Sequence, residues 1–318
     1  MAKLDGGIHR FLNSVHRNDD IIFSLDFDAY LTYFDFNGDY SRFTRFYYSD
    51  REFYSYLNQQ SNTFSLIGFN EVAGPVYSVE NVAVDWNSPT SILGPDQDRT
   101  FIYASSNTAD AALAVFYPQD AFSSQDSGAQ WKFEFDKSYS HLKLSYKVKF
   151  SPEFDFSRGG KLPGFYGGDG NSGGDKPNVD GTDGFSARVM WRRRSIGDEI
   201  VQGAAEQYVY HPSQTDQFGD SFYWEKPNQD PVIFSPDKWY TISTEIKMNS
   251  AESSDGHLIS YVDGKKVLHI DDFFFGDPNS FGIDGLYFST FFGGSDPSWS
   301  PSKDQYALFD DFIITSTV

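Results

Sequence analysis

The chain has 318 residues, of which 45 are acidic and 25 basic, giving a formal net charge of −20, and it contains no cysteine. This acidic balance argues against a nucleic-acid binder, which needs a basic surface to displace counterions, and also against binding to anionic membranes. The lack of cysteine excludes disulfides, a thiol nucleophile and a cysteine-ligated zinc site. Phe, Tyr and Trp make up 18% of the residues, which suits packing on pleated sheets.

The first 62 residues differ in pattern from the rest of the chain. Apolar residues with helical spacing around residues 8–15 predict a short amphipathic helix, and "DIIFSLDFDAYLTYFDF" suggests one or two strands. The sequence has no signal-peptide core and no apolar run of about 18 residues. We therefore divide the chain into residues 1–62, an N-terminal segment without an assigned role, and residues 63–318, a β-domain.

Short alternating segments separated by Gly, Asp, Asn and Pro follow from residue 63 onwards. The segments 141–150 and 238–249 alternate apolar and polar residues, which predicts half-buried strands. Asp263-Gly264 within 257–270 predicts a hairpin with a type I′ turn. Two further strands, "GLYFSTFFGG" and "YALFDDFIITST", complete the pattern. We expect an all-β fold, an antiparallel β-jelly-roll sandwich with a concave groove for a polymeric substrate.

The stretch "RGGKLPGFYGGDGNSGGDKPNVDG", residues 158–181, is dense in glycine, and we interpret it as a mobile loop at the edge of the groove. Gly159 and Gly160 permit backbone angles that other residues resist, and Pro163 fixes φ two residues after Lys161. These residues would aim Lys161 into the groove.

Two segments predict strands with a polar face. In "FSARVMWR", residues 185–192, one face carries Ser186, Arg188, Met190 and Arg192, and the other carries Phe185, Ala187, Val189 and Trp191. In "EQYVYHP", Tyr208 and Tyr210 share a face about 7 Å apart, and His211 follows them. Taken alone, both patterns are more typical of strand packing than of catalysis.

Other chemistries find little support in the sequence. No compact pair of carboxylates suits a glycoside hydrolase, and we interpret Glu199 and Glu206 as surface charges. The six histidines have no metal-ligand spacing, and neither a GxSxG elbow nor a phosphate-binding loop is present. We therefore expect no metal and no cofactor.

Four motifs in this order, "GGKLPGFYGG" (159–168), "DGFSARVMWR" (183–192), "QYVYHP" (207–212) and "FSTFFGG" (288–294), resemble polysaccharide lyase family 14. The similarity extends over roughly residues 110–318. The resemblance implies a β-jelly-roll enzyme that depolymerises polyuronates such as alginate and glucuronan by β-elimination. Secretion would fit that activity, although the compartment is unassigned because no signal peptide is present. We expect a monomer that binds an anionic polysaccharide and neither nucleic acid nor membrane.

The resemblance also implies site residues. Lys161 matches the catalytic lysine of the family, and Tyr208 and Tyr210 match its paired tyrosines. The predicted catalytic residues are Lys161, Tyr208, Tyr210 and Arg188, and the predicted substrate-binding residues are Ser186, Met190, Arg192 and His211. Two long loops, expected at 168–182 and 193–206, depart from the family pattern and bear on which polyuronate is cleaved.

Two assignments of the proton transfers remain open. In one, Lys161 removes the C5 proton, a tyrosine protonates the leaving oxygen and Arg188 binds the carboxylate. In the other, a tyrosine makes both transfers and Lys161 acts electrostatically. A lysine base would need a pKa below its usual value of about 10.4, and a neighbouring arginine acts in that direction. The alternative function is a non-catalytic, lectin-like module on the same sandwich.

Overall fold

The structure is a computed structural model that describes residues 20–25, 73–104 and 111–316. The helix expected near residues 8–15 lies outside these ranges. The described residues form sixteen strands: β1 (Asp20–Leu25), β2 (Ala73–Val76), β3 (Thr90–Leu93), β4 (Thr100–Ala104), β5 (Ala111–Tyr117), β6 (Ala129–Tyr139), β7 (His141–Phe150), β8 (Gly159–Gly168), β9 (Gly184–Ile196), β10 (Glu199–Tyr210), β11 (Asp220–Tyr223), β12 (Trp239–Lys247), β13 (Gly256–Val262), β14 (Lys265–Phe273), β15 (Ile283–Thr290) and β16 (Gln305–Ser316).

Helices are short in this part of the chain. They are α1 (Val79–Asp85), α2 (Ser123–Asp126) and two 3-10 turns, Pro95–Gln97 and Pro297–Trp299. Ser78 caps α1 by accepting a hydrogen bond from the backbone N–H of Asn81, which satisfies one of the free donors at a helix start. No helix of the described residues is long and apolar enough to span a membrane.

The strands form two antiparallel sheets, which confirms the predicted jelly-roll sandwich. The nine-stranded sheet has the order β14-β13-β12-β7-β16-β5-β4-β2, and β1 pairs with β16. The seven-stranded sheet has the order β11-β10-β9-β8-β15-β6-β3. Strand β1 comes from the segment that the sequence placed outside the β-domain, and the division at residues 62 and 63 stays a prediction.

Details of the predicted strands are also confirmed. In β7 every second side chain is buried, from Leu142 to Phe150. The hairpin between β13 and β14 turns at Asp263 and Gly264, whose φ angles are 50° and 74°, as a type I′ turn requires. The alternation of side chains in these strands therefore fixed which face of each enters the core.

Aromatic rings fill the space between the two sheets. Trp131 of β6 stacks on Phe288 of β15 with ring centroids 3.9 Å apart, and Trp191 of β9 packs edge-on against Phe150 of the opposite sheet at 5.6 Å. Such pairs contribute about 0.5–1.5 kcal/mol beyond the burial of their area. The predicted inner face of β9 is confirmed, because Phe185, Ala187, Val189 and Trp191 are all buried in this core.

The interpretation of residues 158–181 as one loop was wrong. Residues 159–168 form β8, which lies between β9 and β15 in the middle of the seven-stranded sheet. The glycines of β8 permit close approach rather than a turn: a Cβ on Gly160 would lie 2.1 Å from the Trp191 ring and 2.5 Å from the Phe291 carbonyl oxygen. The insertion at 193–206 is likewise not a loop, since it extends the β9–β10 hairpin.

We expect Gly160→Ala to lower the free energy of unfolding by about 2–3 kcal/mol, because the added methyl overpacks the core against Trp191. The control is Gly197→Ala, at the β9–β10 turn, where a Cβ meets nothing within 4 Å and only the φ of +59° is strained. That change should cost about 1 kcal/mol. Urea unfolding measures both, and equal losses would contradict the packing role of Gly160.

Candidate active site

The face of the seven-stranded sheet that points away from the core, called here the site face, collects polar side chains from six strands. Residues directly opposite each other on paired strands project from the same face. The register of these pairs places one row of residues across the sheet, called here the central row: Lys132 (β6), Tyr287 (β15), Gly164 (β8), Arg188 (β9), Tyr208 (β10) and Ser221 (β11).

Arg188 lies at the middle of the central row and is only 2% exposed. Gly164 next to it has no side chain, so the arginine reaches past β8 to β15. There its guanidinium carbon lies 4.8 Å from the centre of the Tyr287 ring, and Nη1 donates to Ser289 Oγ at 3.3 Å. Its buried Nε has no hydrogen-bond partner among the described residues. Because buried donors are normally paired, this unpaired N–H is an unusual feature of the site.

Lys161 lies beside the central row, opposite Met190 of β9, which in turn lies opposite Glu206 of β10. Its Nζ donates to the Met190 thioether sulfur at 2.7 Å and lies 3.8 Å from the centre of the Tyr208 ring. A thioether is a weak acceptor, so the buried ammonium is poorly compensated. Burial, and then the charges of Arg188 and Arg192, hold the pKa of Lys161 well below its usual value, while the charge of Glu206 opposes them.

The paired tyrosines of β10 meet edge to face, with ring centroids 5.6 Å apart. Burial raises the pKa of the Tyr208 phenol, and the neighbouring Tyr210 raises it further, although Arg188 acts in the opposite direction. The Tyr210 hydroxyl accepts a hydrogen bond from the backbone N–H of Gly174 at 2.9 Å. Tyr208 therefore keeps its proton near neutral pH, and the segment between β8 and β9 fixes the position of the Tyr210 oxygen.

Two parts of the chain, the segment 169–183 and Trp299, cover the site face from opposite sides. This explains why the side chains of the site face are buried although they point away from the core. The segment 169–183 is held by Ser186 Oγ, which donates to the Asn171 carbonyl at 2.6 Å, and by Lys132 Nζ, which donates to the Asp169 carbonyl at 2.5 Å. On the other side lies Trp299, whose ring faces the guanidinium groups of Arg158 and Arg192 at 4.8 and 4.9 Å.

Seven of the eight predicted site residues share the site face, and His211 is the exception. Its ring packs on Phe273 at a centroid distance of 4.8 Å, and its Nε2 hydrogen-bonds with Asp220 Oδ2 at 2.9 Å. Burial lowers the pKa of His211. Because side chains alternate along β10, the residue after Tyr210 turns toward the core, and the structure does not bring His211 to the other seven.

Three residues of the site face, Glu206, Lys132 and Tyr287, were missed or misjudged from the sequence, and so was Trp299, which walls it. The interpretation of Glu206 as a surface charge was wrong, because it is 1% exposed. The two-residue period of β10, which places Glu206 on the face of Tyr208 and Tyr210, contained the signal. Lys132 and Tyr287 come close only through the pairing of β6 with β15, which no local pattern predicts.

Candidate metal ligands occur elsewhere in the fold. Among the described residues, His257, His269 and Asp271 form a group whose ligand atoms lie within 4.8 Å of one another. They belong to β13 and β14 of the nine-stranded sheet, and the site face has no comparable group within the described chain.

Comparison with known proteins agrees with this fold. The family model for Polysaccharide lyase 14 matches residues 105–312. The chain is similar to alginate lyase Aly36B at 30% identity with a TM-score of 0.64, covering 77% of this chain and 93% of that one. It is also similar to the marine PL-14 alginate lyase from Aplysia kurodai at 25% identity, with a TM-score of 0.63 and coverage of 78% and 98%.

A doubly substituted form of Aly36B, solved in complex with alginate trisaccharide, gives 26% identity and a TM-score of 0.64 over 80% of this chain and 97% of that one. No curated protein matches the sequence. The family model covers well over half of the chain, and its range includes every residue named on the site face. The chain therefore belongs to polysaccharide lyase family 14.

Proposed function

We propose that this protein cleaves a 4-O-linked polyuronate, with alginate as the first candidate, by β-elimination. The observation that carries the proposal is the convergence of the Lys161 amine, the Arg188 guanidinium and the Tyr208 phenol on one walled face. The two Aly36B variants solved with alginate oligosaccharides support alginate as the substrate class. All of these groups belong to one chain, so the proposal requires no second subunit.

The reaction needs three groups around one sugar linkage. A base takes the proton from C5, the electron pair of that C–H bond forms the C4–C5 double bond, and the C4–O bond breaks. The leaving oxygen then takes a proton from an acid. As the C5 proton leaves, a second negative charge develops beside the uronate carboxylate, and a cation held there stabilises the transition state more than the ground state.

Arg188 suits the role of the carboxylate-binding cation. Its guanidinium is fixed by Ser289 and Tyr287, and its unpartnered Nε adds a donor in the plane of the fork. Fixed, planar donors bind carboxylates more strongly than a mobile ammonium does. Together with Lys132 and Arg192, it gives this face a local positive charge in a chain whose formal net charge is −20.

The surroundings of Lys161 and Tyr208 favour the first assignment of the proton transfers. A pKa well below the ordinary lysine value favours the neutral amine of Lys161, which is the form that accepts the C5 proton. A raised pKa leaves Tyr208 protonated, so it donates to the leaving oxygen. In the competing assignment a tyrosine makes both transfers, which would require Tyr208 or Tyr210 to ionise first.

The direct test offers polymannuronate, polyguluronate and glucuronan to the purified protein and follows the ultraviolet absorbance of the conjugated unsaturated uronate. We expect a rise on at least one polymer and none with Lys161→Met. Flat traces on all three from a folded sample, together with retardation of the polymer in a gel, would instead support the lectin-like module.

Tyr208→Phe should lower kcat by about 10²–10⁴-fold, the usual loss when a general acid is removed. The substitution removes one oxygen and keeps the ring that faces Lys161. Tyr223→Phe is the matched control: Tyr223 lies on β11, its ring faces the Arg194 guanidinium at 3.6 Å, and it is 44% exposed. A fully active Tyr208→Phe beside an inactive Tyr210→Phe would move the acid role to Tyr210.

Lys161→Met should keep or raise the free energy of unfolding while abolishing turnover. Folding lowers the pKa of Lys161 below its unfolded value of about 10.4. The folded protein therefore carries a penalty below that pH, and the penalty disappears as the pH rises past it. The gain from Lys161→Met should thus be largest at pH values below the folded pKa of Lys161 and should shrink as the pH rises toward the unfolded value.

Urea unfolding at a series of pH values measures this difference. The exposed Lys265 provides the control, and Lys265→Met should change stability by no more than about 0.5 kcal/mol at any pH. A loss of stability in Lys161→Met that is constant with pH would show that the lysine supports the fold and is not destabilised by its site.

A further inference from the structure

Glu206 is a buried carboxylate on a face that is proposed to bind a polyanion. It projects from β10 beside Tyr208, lies opposite Met190, and is 1% exposed. A negative charge here repels a uronate carboxylate, and burying a carboxylate is costly unless it is paired. We therefore expect Glu206 to have a function that outweighs both the repulsion of the substrate and the cost of burial.

The contacts of Glu206 tie it to the cations of the site. Oε1 accepts a hydrogen bond from Ser221 Oγ at 2.9 Å and lies 3.7 Å from Arg192 Nε. Arg192 in turn rests on the Trp299 ring. The titratable and charged groups that face Glu206 from the surrounding strands are Lys161 on β8, Arg192 and Arg194 on β9, Tyr208 on β10 and Tyr223 on β11.

We infer that Glu206 is a positioning residue for the lyase reaction: its carboxylate holds Arg192 at the edge of the site and offsets the cations that surround the Lys161 amine. This inference rests on the proposed function, because it concerns how Lys161 is kept fit to accept a proton. Arg192 held in this way remains directed at the polymer, while Lys161 retains basicity that Arg188 and Arg192 would otherwise remove.

The direction of the electrostatic effect follows from the charges. The negative charge of Glu206 favours the ammonium form and so raises the pKa of Lys161, against burial and the two arginines. Burial raises the pKa of Glu206 itself, and Arg192 and Ser221 lower it again. Without this carboxylate, Lys161 would lose its proton at lower pH and would be a weaker base.

The test is Glu206→Gln, which keeps the shape and removes the charge. We expect kcat to fall about 10-fold and the Lys161-dependent limb of the pH profile of kcat/KM to move about 1 pH unit toward lower pH. If the limb that moves is the one on which kcat/KM rises with pH, activity requires the neutral Lys161 amine, as expected for a base. If it is the limb on which kcat/KM falls with pH, activity requires the Lys161 cation. An NMR titration of Lys161 in the variant should show the same shift.

Two matched variants separate this role from a structural one. Glu199→Gln removes the same charge from an exposed position on the same strand and should leave the profile unchanged. Glu206→Asp keeps the charge on a shorter side chain and should restore the position of the limb, though not the full kcat.

A Glu206→Gln profile and Lys161 titration that superimpose on those of the parent would overturn the inference, and so would an equal shift in Glu199→Gln. If Glu206→Gln does not fold, Glu206→Met, which fills a similar volume without a charge or a buried amide, carries the test, and the same shift of the Lys161 titration is expected from it. Failure of the proposed function is distinguishable, because a parent without lyase activity still has a Lys161 that titrates.

Discussion

The burial of the Lys161 amine beside two guanidinium groups is the constraint on which the rest of the site depends. An ammonium in this position is opposed by desolvation and by Arg188 and Arg192, and its hydrogen-bond partner is a thioether. Only a rigid support holds an amine and two guanidinium groups together in this way. The central strands of the seven-stranded sheet provide it, because β8 and β9 are hydrogen-bonded along both edges and cannot move apart to relieve the repulsion.

Strand β8 serves the core and the site at once, and its glycines make this possible. At Gly160 the ring of Trp191 occupies the space of a side chain, and at Gly164 a Cβ would lie 2.6 Å from the Arg188 backbone. The missing side chains of β8 thus let the aromatic core pack closely on one face of the strand. On the other face they let Arg188 extend across β8 to β15. The site face then needs only two walls, the segment 169–183 and Trp299, to exclude water from the reacting groups.

The sequence predicted what local periodicity controls. Alternation gave the strands β7, β12, β13 and β14 and the two faces of β9, and the family motifs led to Lys161 and the paired tyrosines. The glycines of residues 158–181 led to the wrong prediction of a loop, because glycine permits either a turn or a close approach between strands. Only the strands and side chains next to β8 decide between the two. Glu206 was misjudged because charge alone suggests exposure. Trp299 and Lys132 join the site through pairing and packing over long sequence distances, which one sequence does not encode locally.

The proposed mechanism depends on the protonation state of Lys161, and an NMR titration of its Nζ measures that state directly. Comparison of the protein with Lys161→Met assigns the signal. We expect Lys161 to titrate well below the ordinary lysine value and to stay neutral over the pH range in which the enzyme turns over. Titration at the ordinary value, in a folded and active sample, would contradict a lysine base and transfer both proton movements to the tyrosines.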